Sequence, residues 1–259
     1  MQPQPARLVY SGCEERRRQM ALTTHTYALA ALPVLSNLIT THRAEIAVLR
    51  AALDNVLTPA HDNIWLLRFL LSSNMDTFKA EVRAREAIKY RQLHRDVLAF
   101  AASSTPFPNE LKLSQLLVQD VRVVNGTPRL LVYGGRSKLR ELHETFTDQQ
   151  IVDYILYTKE RCHVIADAES RRTDRLVKMV TLIDLDGLSW FGFDRRFLRC
   201  ISTADAMSEP CYPQLLGLAT IVNAPIFVNV LWSIAQRIMP AATCEKVTFA
   251  PSREVLELL

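Results

Sequence analysis

Glycine is scarce, with seven in 259 residues. No G-x-G-x-x-G run, no Walker-type phosphate loop and no G-x-S-x-G nucleophile turn occurs. That removes the common glycine-built ways of cradling a nucleotide or exposing a catalytic serine. Cysteine is also limited to five positions, Cys13, Cys162, Cys200, Cys211 and Cys244. They are odd in number, dispersed and without a C-x-x-C pair, which argues against a disulfide framework and for a reducing compartment. Pro210-Cys211-Tyr212-Pro213-Gln214 carries half of a zinc-deaminase motif, but the second cysteine is missing. His42 and Glu45 lie one helical turn apart without a second histidine at ligand spacing. The sequence therefore assigns no metal, no cofactor and no catalytic residue.

Charge of one sign is lacking too. The formal net charge is +4, with 22% charged residues. This is too weakly basic to argue for nucleic acid, though it suits brief contact with an anionic membrane surface. Residues Met1 to Met20 are polar, contain Glu14-Glu15-Arg16-Arg17-Arg18, and lack the apolar core of a signal peptide. One run, Leu215 to Ile234, has the length and hydropathy of a membrane span. Asn223-Ala224-Pro225 interrupts it and Asn229 follows, so it reads as a buried strand running into a helix.

Hydrophobic residues make up 49% of the chain, enough for one large domain or one domain plus a small one. Residues 1–58 are helical in composition but poorly patterned, and form an N-terminal helical extension. Asp62 precedes Ile64–Leu71, a short buried helix. Asp76 is an N-cap for a second helix of about six turns, Thr77 to Ala101. Phe78, Val82, Ala84 and Ile88 are expected on its apolar side, and Lys79, Arg83, Arg85, Lys89 and Arg91 on its wet side. Ser103 to Pro108 ends it, because proline cannot continue the ladder. A boundary there makes 59–108 a helical lobe and 109–259 a second lobe.

In that second lobe, β-rich runs alternate with helical segments. Strands are expected at Arg129–Tyr133, Val177–Asp184, Gly217–Asn223 and Lys246–Ala250, and helices at Thr147–Ala168, Asp194–Met207 and Ile226–Met239. Thr147 with Gln150 forms a capping box. The middle runs are almost wholly apolar, as strands covered on both faces are. The fold class is α/β, with a mostly parallel sheet and crossover helices. A sheet of this kind without phosphate loop or nucleophile turn is free to floor an apolar pocket.

Several segments together resemble the CRAL-TRIO, or Sec-fourteen-like, lipid-binding family. Leu66-Leu67-Arg68-Phe69-Leu70, then Asp76 and a long helix, is similar to its N-terminal helical motif. Thr181-Leu182-Ile183-Asp184-Leu185-Asp186-Gly187 is similar to its central strand and turn. Tyr212-Pro213-Gln214 followed by Ile221-Val222-Asn223-Ala224-Pro225 is similar to its most recognisable part. The resemblance runs from about residue 60 to the end. It implies a helical lobe beside a pocket that holds one lipid's acyl chains, closed by a mobile amphipathic helix. Each buried methylene is worth ~0.8 kcal/mol, so such a pocket makes exchange between membranes possible without free lipid in water.

Carried onto this chain, the resemblance makes Ile226–Met239 the gate, with Phe227, Val230 and Leu231 against lipid and Trp232 at the interface. Lys246 and Thr243 match contacts to an inositol phosphate. The chain departs from phosphatidylinositol binders elsewhere. Ser73 and Asn74 stand where a basic pair is usual, and Gln214 replaces a glutamate. Thr181 matches one hydroxyl associated with phosphatidylcholine, and Met179 stands where the other would be. Weak phosphatidylinositol selectivity is therefore expected. Arg171, Arg172, Arg175 and Lys178 read as a solvated basic loop, with contact to anionic head groups as its sharper use. The expected partners are a phospholipid or other hydrophobic molecule and, transiently, a membrane surface. The expected state is a non-enzymatic, cytoplasmic, peripherally membrane-associated monomer that transfers or presents its ligand. A different reading of the same pocket is a ligand-gated module that recruits a protein partner.

Overall fold

The computed structural model describes residues 32–189, 194–236 and 244–250. Its first part is helical: α1 (Leu35–Thr41), α2 (Arg43–Leu53), α3 (Asn63–Ser72), α4 (Thr77–Leu93), α5 (Arg95–Ala99) and α6 (Glu110–Leu116). In α2, Ile46, Leu49 and Leu53 recur at helical spacing and are buried. Helix α3 is buried on nearly every side, through Leu66, Leu67, Phe69 and Leu70. Asp62 caps it by accepting from Trp65 N at 3.0 Å, and also pairs with Arg171. Asp76 caps α4 in the same way, accepting from Lys79 N at 3.0 Å.

Helix α4 differs from expectation in three respects. It ends at Leu93, where His94 leaves helical geometry, and α5 starts a separate turn. The buried stripe is Ala80, Ala84, Ala87 and Ile88, whereas Phe78 is 74% exposed and Val82 is also exposed. Two residues of offset turn a side chain by roughly 200° around a helix, so Phe78 and Val82 face away from the alanines that let neighbouring backbones approach. Arg91, expected to be wet, lies inward. It donates to both carboxylate oxygens of the buried Glu160, at 2.9 and 3.1 Å.

The second part carries β1 (Gln119–Val124), β2 (Thr127–Tyr133), α7 (Leu139–Thr145), α8 (Asp148–Thr173), β3 (Met179–Asp184), α9 (Arg195–Ser208), β4 (Leu216–Val222), α10 (Ile226–Ala235) and β5 (Val247–Ala250). The strands form one sheet in the order β1-β2-β3-β4-β5. The β2-β3, β3-β4 and β4-β5 pairs are parallel, with helices in the crossovers. The capping box at the start of α8 is present.

Strand β1 was not anticipated. It pairs antiparallel with β2 through Asn125-Gly126, both at positive φ (+50° and +77°), the backbone of a two-residue type I′ hairpin. Gly126 suits this turn through its φ of +77°, and a Cβ there would also oblige the Glu169 side chain to move. Asp120 and Arg122 break up the apolar pattern of β1, as suits a strand on the sheet's rim.

One contiguous core joins residues on both sides of the 103–108 segment, from Leu35 and Leu66 to Met179 and Leu215. The chain near residue 34 is fastened to the turn after α8. Leu35 N donates to Asp174 O and Leu176 N to Pro33 O, both at 3.0 Å. Among the described residues, no helix is long and apolar enough to cross a membrane. The apolar run from Leu215 resolves into β4 and α10.

Candidate functional site

Parallel register puts partnered residues of adjacent strands on one face. Thr181 pairs with Leu130 and with Ala219, Ile183 with Ile221, and Ile221 with Phe249. Gln119 pairs with Val132, so it shares this face, and its Nε2 donates to Thr158 Oγ1 of α8 at 2.9 Å. Helix α10 reaches the same face at the far edge, where the Trp232 ring meets Phe249 edge-on at 5.5 Å. Met179 and Thr181 are buried, at 7% and 8% exposure. The sheet face bearing Thr181 is thus bounded by α8 on one side and α10 on the other.

At the C-terminal ends of these strands, the motif residues are architectural. Asp184 Oδ1 accepts from Asn223 Nδ2 at 2.8 Å and from Asp186 N at 3.0 Å. Asn223 takes φ of +52° to reach it. This ties the ends of β3 and β4 together immediately before α10. Gly135 is packed against the same turn, where a Cβ would come within 1.8 Å of Asp186 O. Tyr212 is likewise an anchor, buried 5.6 Å from the Arg91 guanidinium and 5.4 Å from the His163 ring.

The gate segment is described in part. Ile226 is 89% exposed, Phe227 is half-buried and Val228 is buried. The side chains of Val230 and Leu231, all of Thr243, and the end of the expected helix to Met239 lie outside the described residues.

The N-terminal edge of the sheet gathers a polar cluster. Lys178, Gln214 and Lys246 each stand just before a strand, and α3 ends beside them. Lys178 Nζ donates to Gln214 Oε1 at 2.7 Å, and Gln214 Nε2 donates to Ser72 Oγ at 3.2 Å. Burial, helped by Lys246 and Arg68, pushes the Lys178 amine down to about 8. Burial also lowers Lys246, against the opposing pull of Glu245. Arg68 is 2% exposed. Its Nη2 donates to Ser170 Oγ at 3.0 Å and lies 3.8 Å from Asp167 Oδ1, while Nε and Nη1 are buried without a hydrogen-bond partner. Ser73 Oγ is buried without one as well, and Asn74 is exposed.

So the structure brings Lys246 and Gln214 into one charged neighbourhood, at the opposite end of the strands from the Asp184–Asn223 tie. The expected solvated basic loop is not one. Arg171 and Arg172 close the last turn of α8 in ion pairs with Asp62, Asp167 and Glu169. Arg175 donates to Leu32 O at 3.0 Å. Three of the four cations serve internal contacts because α8 runs five residues further than its pattern suggested. Lys178, the fourth, is half-buried against Gln214. Its only signal was its position, directly between the buried Val177 and Met179.

Other polar groups offer little chemistry. Burial raises the thiols of Cys162 and Cys211 to about 12, so neither forms a thiolate near neutral pH. Burial, with Arg91, Arg68 and Arg171 nearby, keeps His163 neutral. Among the described residues no His, Cys, Asp and Glu side chains group as metal ligands. A surface groove of about 420 Å³ between α4 and α9, lined by Lys89, Tyr90, Leu93 and Met207 among others, contains none of the predicted site residues.

Comparison with known proteins places this geometry. The family model described as CRAL/TRIO domain matches residues 126–259. "Protein real-time" of Aedes aegypti is 25% identical over 198 residues, which cover 74% of this chain and 30% of that protein. Its namesake in Anopheles gambiae is 25% identical over 196 residues, covering 74% and 28%. The chain spans under a third of the length of these two relatives. The SEC14 cytosolic factor of Eremothecium gossypii is 23% identical over 237 residues, covering 90% of this chain and 75% of that one. Among solved structures, the crystal structure of Sfh5 aligns with a TM-score of 0.58 at 16% identity, covering 83% of this chain and 78% of the other, which is a likeness of fold.

Proposed function

The chain belongs to the CRAL/TRIO domain family, and from that premise we propose that it holds a phospholipid, or another hydrophobic ligand, behind α10 and transfers or presents it between membranes. Lipid binding and transfer are the family's general property, and turnover of the lipid is not. The observation that carries the reading here is the face shared by Thr181, Ile221 and Phe249, walled by α8 and met by Trp232 of α10. Acyl chains lying on such a face would leave water entirely, which is the main driving force for taking lipid out of a bilayer. Thr181 would supply a hydroxyl within this wall and Met179 an adaptable apolar surface.

The lipid's identity is a finer matter. Ser73 is buried but neutral, Asn74 is exposed, and Gln214 engages Lys178 rather than presenting a carboxylate. These features support a carrier without strong selectivity for inositol. The test is organic extraction and mass spectrometry of the purified protein, followed by vesicle-to-vesicle transfer of the lipid found. Bound lipid with transfer is the expected result. Bound ligand without transfer would favour the sensing module instead, and an empty protein that neither loads nor transfers lipid would overturn both.

A further inference from the structure

We infer that Lys178 is the principal cation of an anion subsite at the N-terminal edge of the sheet, and that the anion is a phosphate ester. The inference rests on the carrier reading above only in taking that ester to be a lipid's.

Four observations lead there. Lys178 is half-buried, and its amine meets a neutral carbonyl, Gln214 Oε1. Among the described residues no carboxylate comes within ion-pair distance of it, although buried ammonium groups are ordinarily paired. Its charged neighbours, Lys246 and Arg68, carry the same sign. Arg68 is almost wholly enclosed with two of its three nitrogens unpartnered, and Ser73 Oγ is enclosed and unpartnered beside Ser72. Asp167 and Glu245 offset Arg68 and Lys246 in part, and among the described residues no acidic group does so for Lys178.

The neutral side chain at position 214 is what leaves the subsite open. A glutamate there would close Lys178 into an internal ion pair. Gln214 orients the amine through one hydrogen bond and leaves two of its N–H groups to donate. A phosphate oxygen accepting from them forms a charge-assisted bond and relieves the repulsion from Lys246. Lys178 thereby takes over the role for which Ser73 and Asn74 carry no charge. The substrate class this selects is the anionic phospholipid, with the phosphate and not the inositol ring as the feature recognised.

The experiment offers the full chain to vesicles of equal phosphatidic acid and phosphatidylcholine and extracts what it has bound. Total uptake reports the carrier reading, and the ratio of the two lipids reports Lys178. Wild type should enrich phosphatidic acid, Lys178→Met should reduce the enrichment about tenfold, and Lys178→Arg should keep most of it. Enrichment in wild type should fall as pH rises past about 8, where the free amine loses its proton, and should be flat in Lys178→Met. A second arm uses soluble glycerophosphate and follows thermal unfolding. If no lipid loads, but glycerophosphate raises Tm in wild type and not in Lys178→Met, the subsite stands and the carrier reading falls. Uptake without enrichment in wild type, equal enrichment in Lys178→Met, or no response to either probe would overturn the subsite.

Discussion

At the scale of single residues, two buried charges behave oppositely. Arg91 and Glu160 are a matched pair with two hydrogen bonds. Removing one partner leaves the other enclosed and uncompensated, which commonly costs ~3–5 kcal/mol. Arg91→Leu should therefore destabilise the protein by roughly that amount in urea unfolding, and adding Glu160→Leu should recover much of the loss. Lys178 has no such partner, and its folded-state pKa of about 8 lies below the usual 10.5. Below pH 8 the amine is protonated in both states, and the folded state bears the cost of burying the charge. Between pH 8 and 10.5 the unfolded chain binds the extra proton, so stability rises with pH across that window. Lys178→Met should be more stable than wild type near pH 7, by about 1–3 kcal/mol, and the gap should close by pH 10.5. Neither partner of these charges was legible in the sequence. Arg91 sits among basic residues of α4, and Lys178 follows three arginines whose charges are taken up by carboxylates and a backbone carbonyl. Sequence spacing reports which side of an element a residue takes, but not which distant carboxylate or amide meets it there.

Among the elements, the caps and the central strands were the most legible. Asp62, Asp76 and Thr147–Gln150 act within three residues of themselves, and the apolar runs of β3 and β4 need only burial on both faces. Strand β1 escaped because its alternation, Asp120-Val121-Arg122-Val123, is short and has no fully buried face, although Asn125-Gly126 is a strong hairpin signal. The face of α4 was misjudged because its buried side is lined with alanine, which marks close packing by smallness rather than by hydrophobic bulk. Of the candidate site, Met179 and Thr181 were placed on a buried strand by pattern alone, while the roles of Phe227, Val230, Leu231, Thr243 and Lys246 came only from resemblance. Helix α10 carries the corresponding prediction. Ile226 stands almost fully in water at its first turn, and a gate helix that docks on a bilayer would place it in the interface. Phe227→Asp with Leu231→Asp should lower vesicle binding and lipid transfer together, by tenfold or more, with far-UV dichroism unchanged. Transfer at the wild-type rate in a folded double variant would remove α10 from the gating role.

For the molecule as a whole, the helical part and the sheet share one apolar core. That predicts a single cooperative unfolding transition. Tryptophan fluorescence, to which Trp65 of α3, Trp190 and Trp232 of α10 contribute, should change at the same urea concentration as the dichroism of the backbone. Two separated midpoints would show that residues 59–108 and 109–259 unfold as independent units. The sheet has one more property that belongs to the chain in time. Its strands lie side by side in the order in which a ribosome makes them, so every new strand finds its neighbour already synthesised and no strand has to be inserted between two others. Strand β4 can complete the wall that carries Thr181 before α10 has been translated. The nascent protein then passes through a stage with an open, greasy wall, the kind of surface on which premature association begins, before α10 and the four-residue β5 have been made.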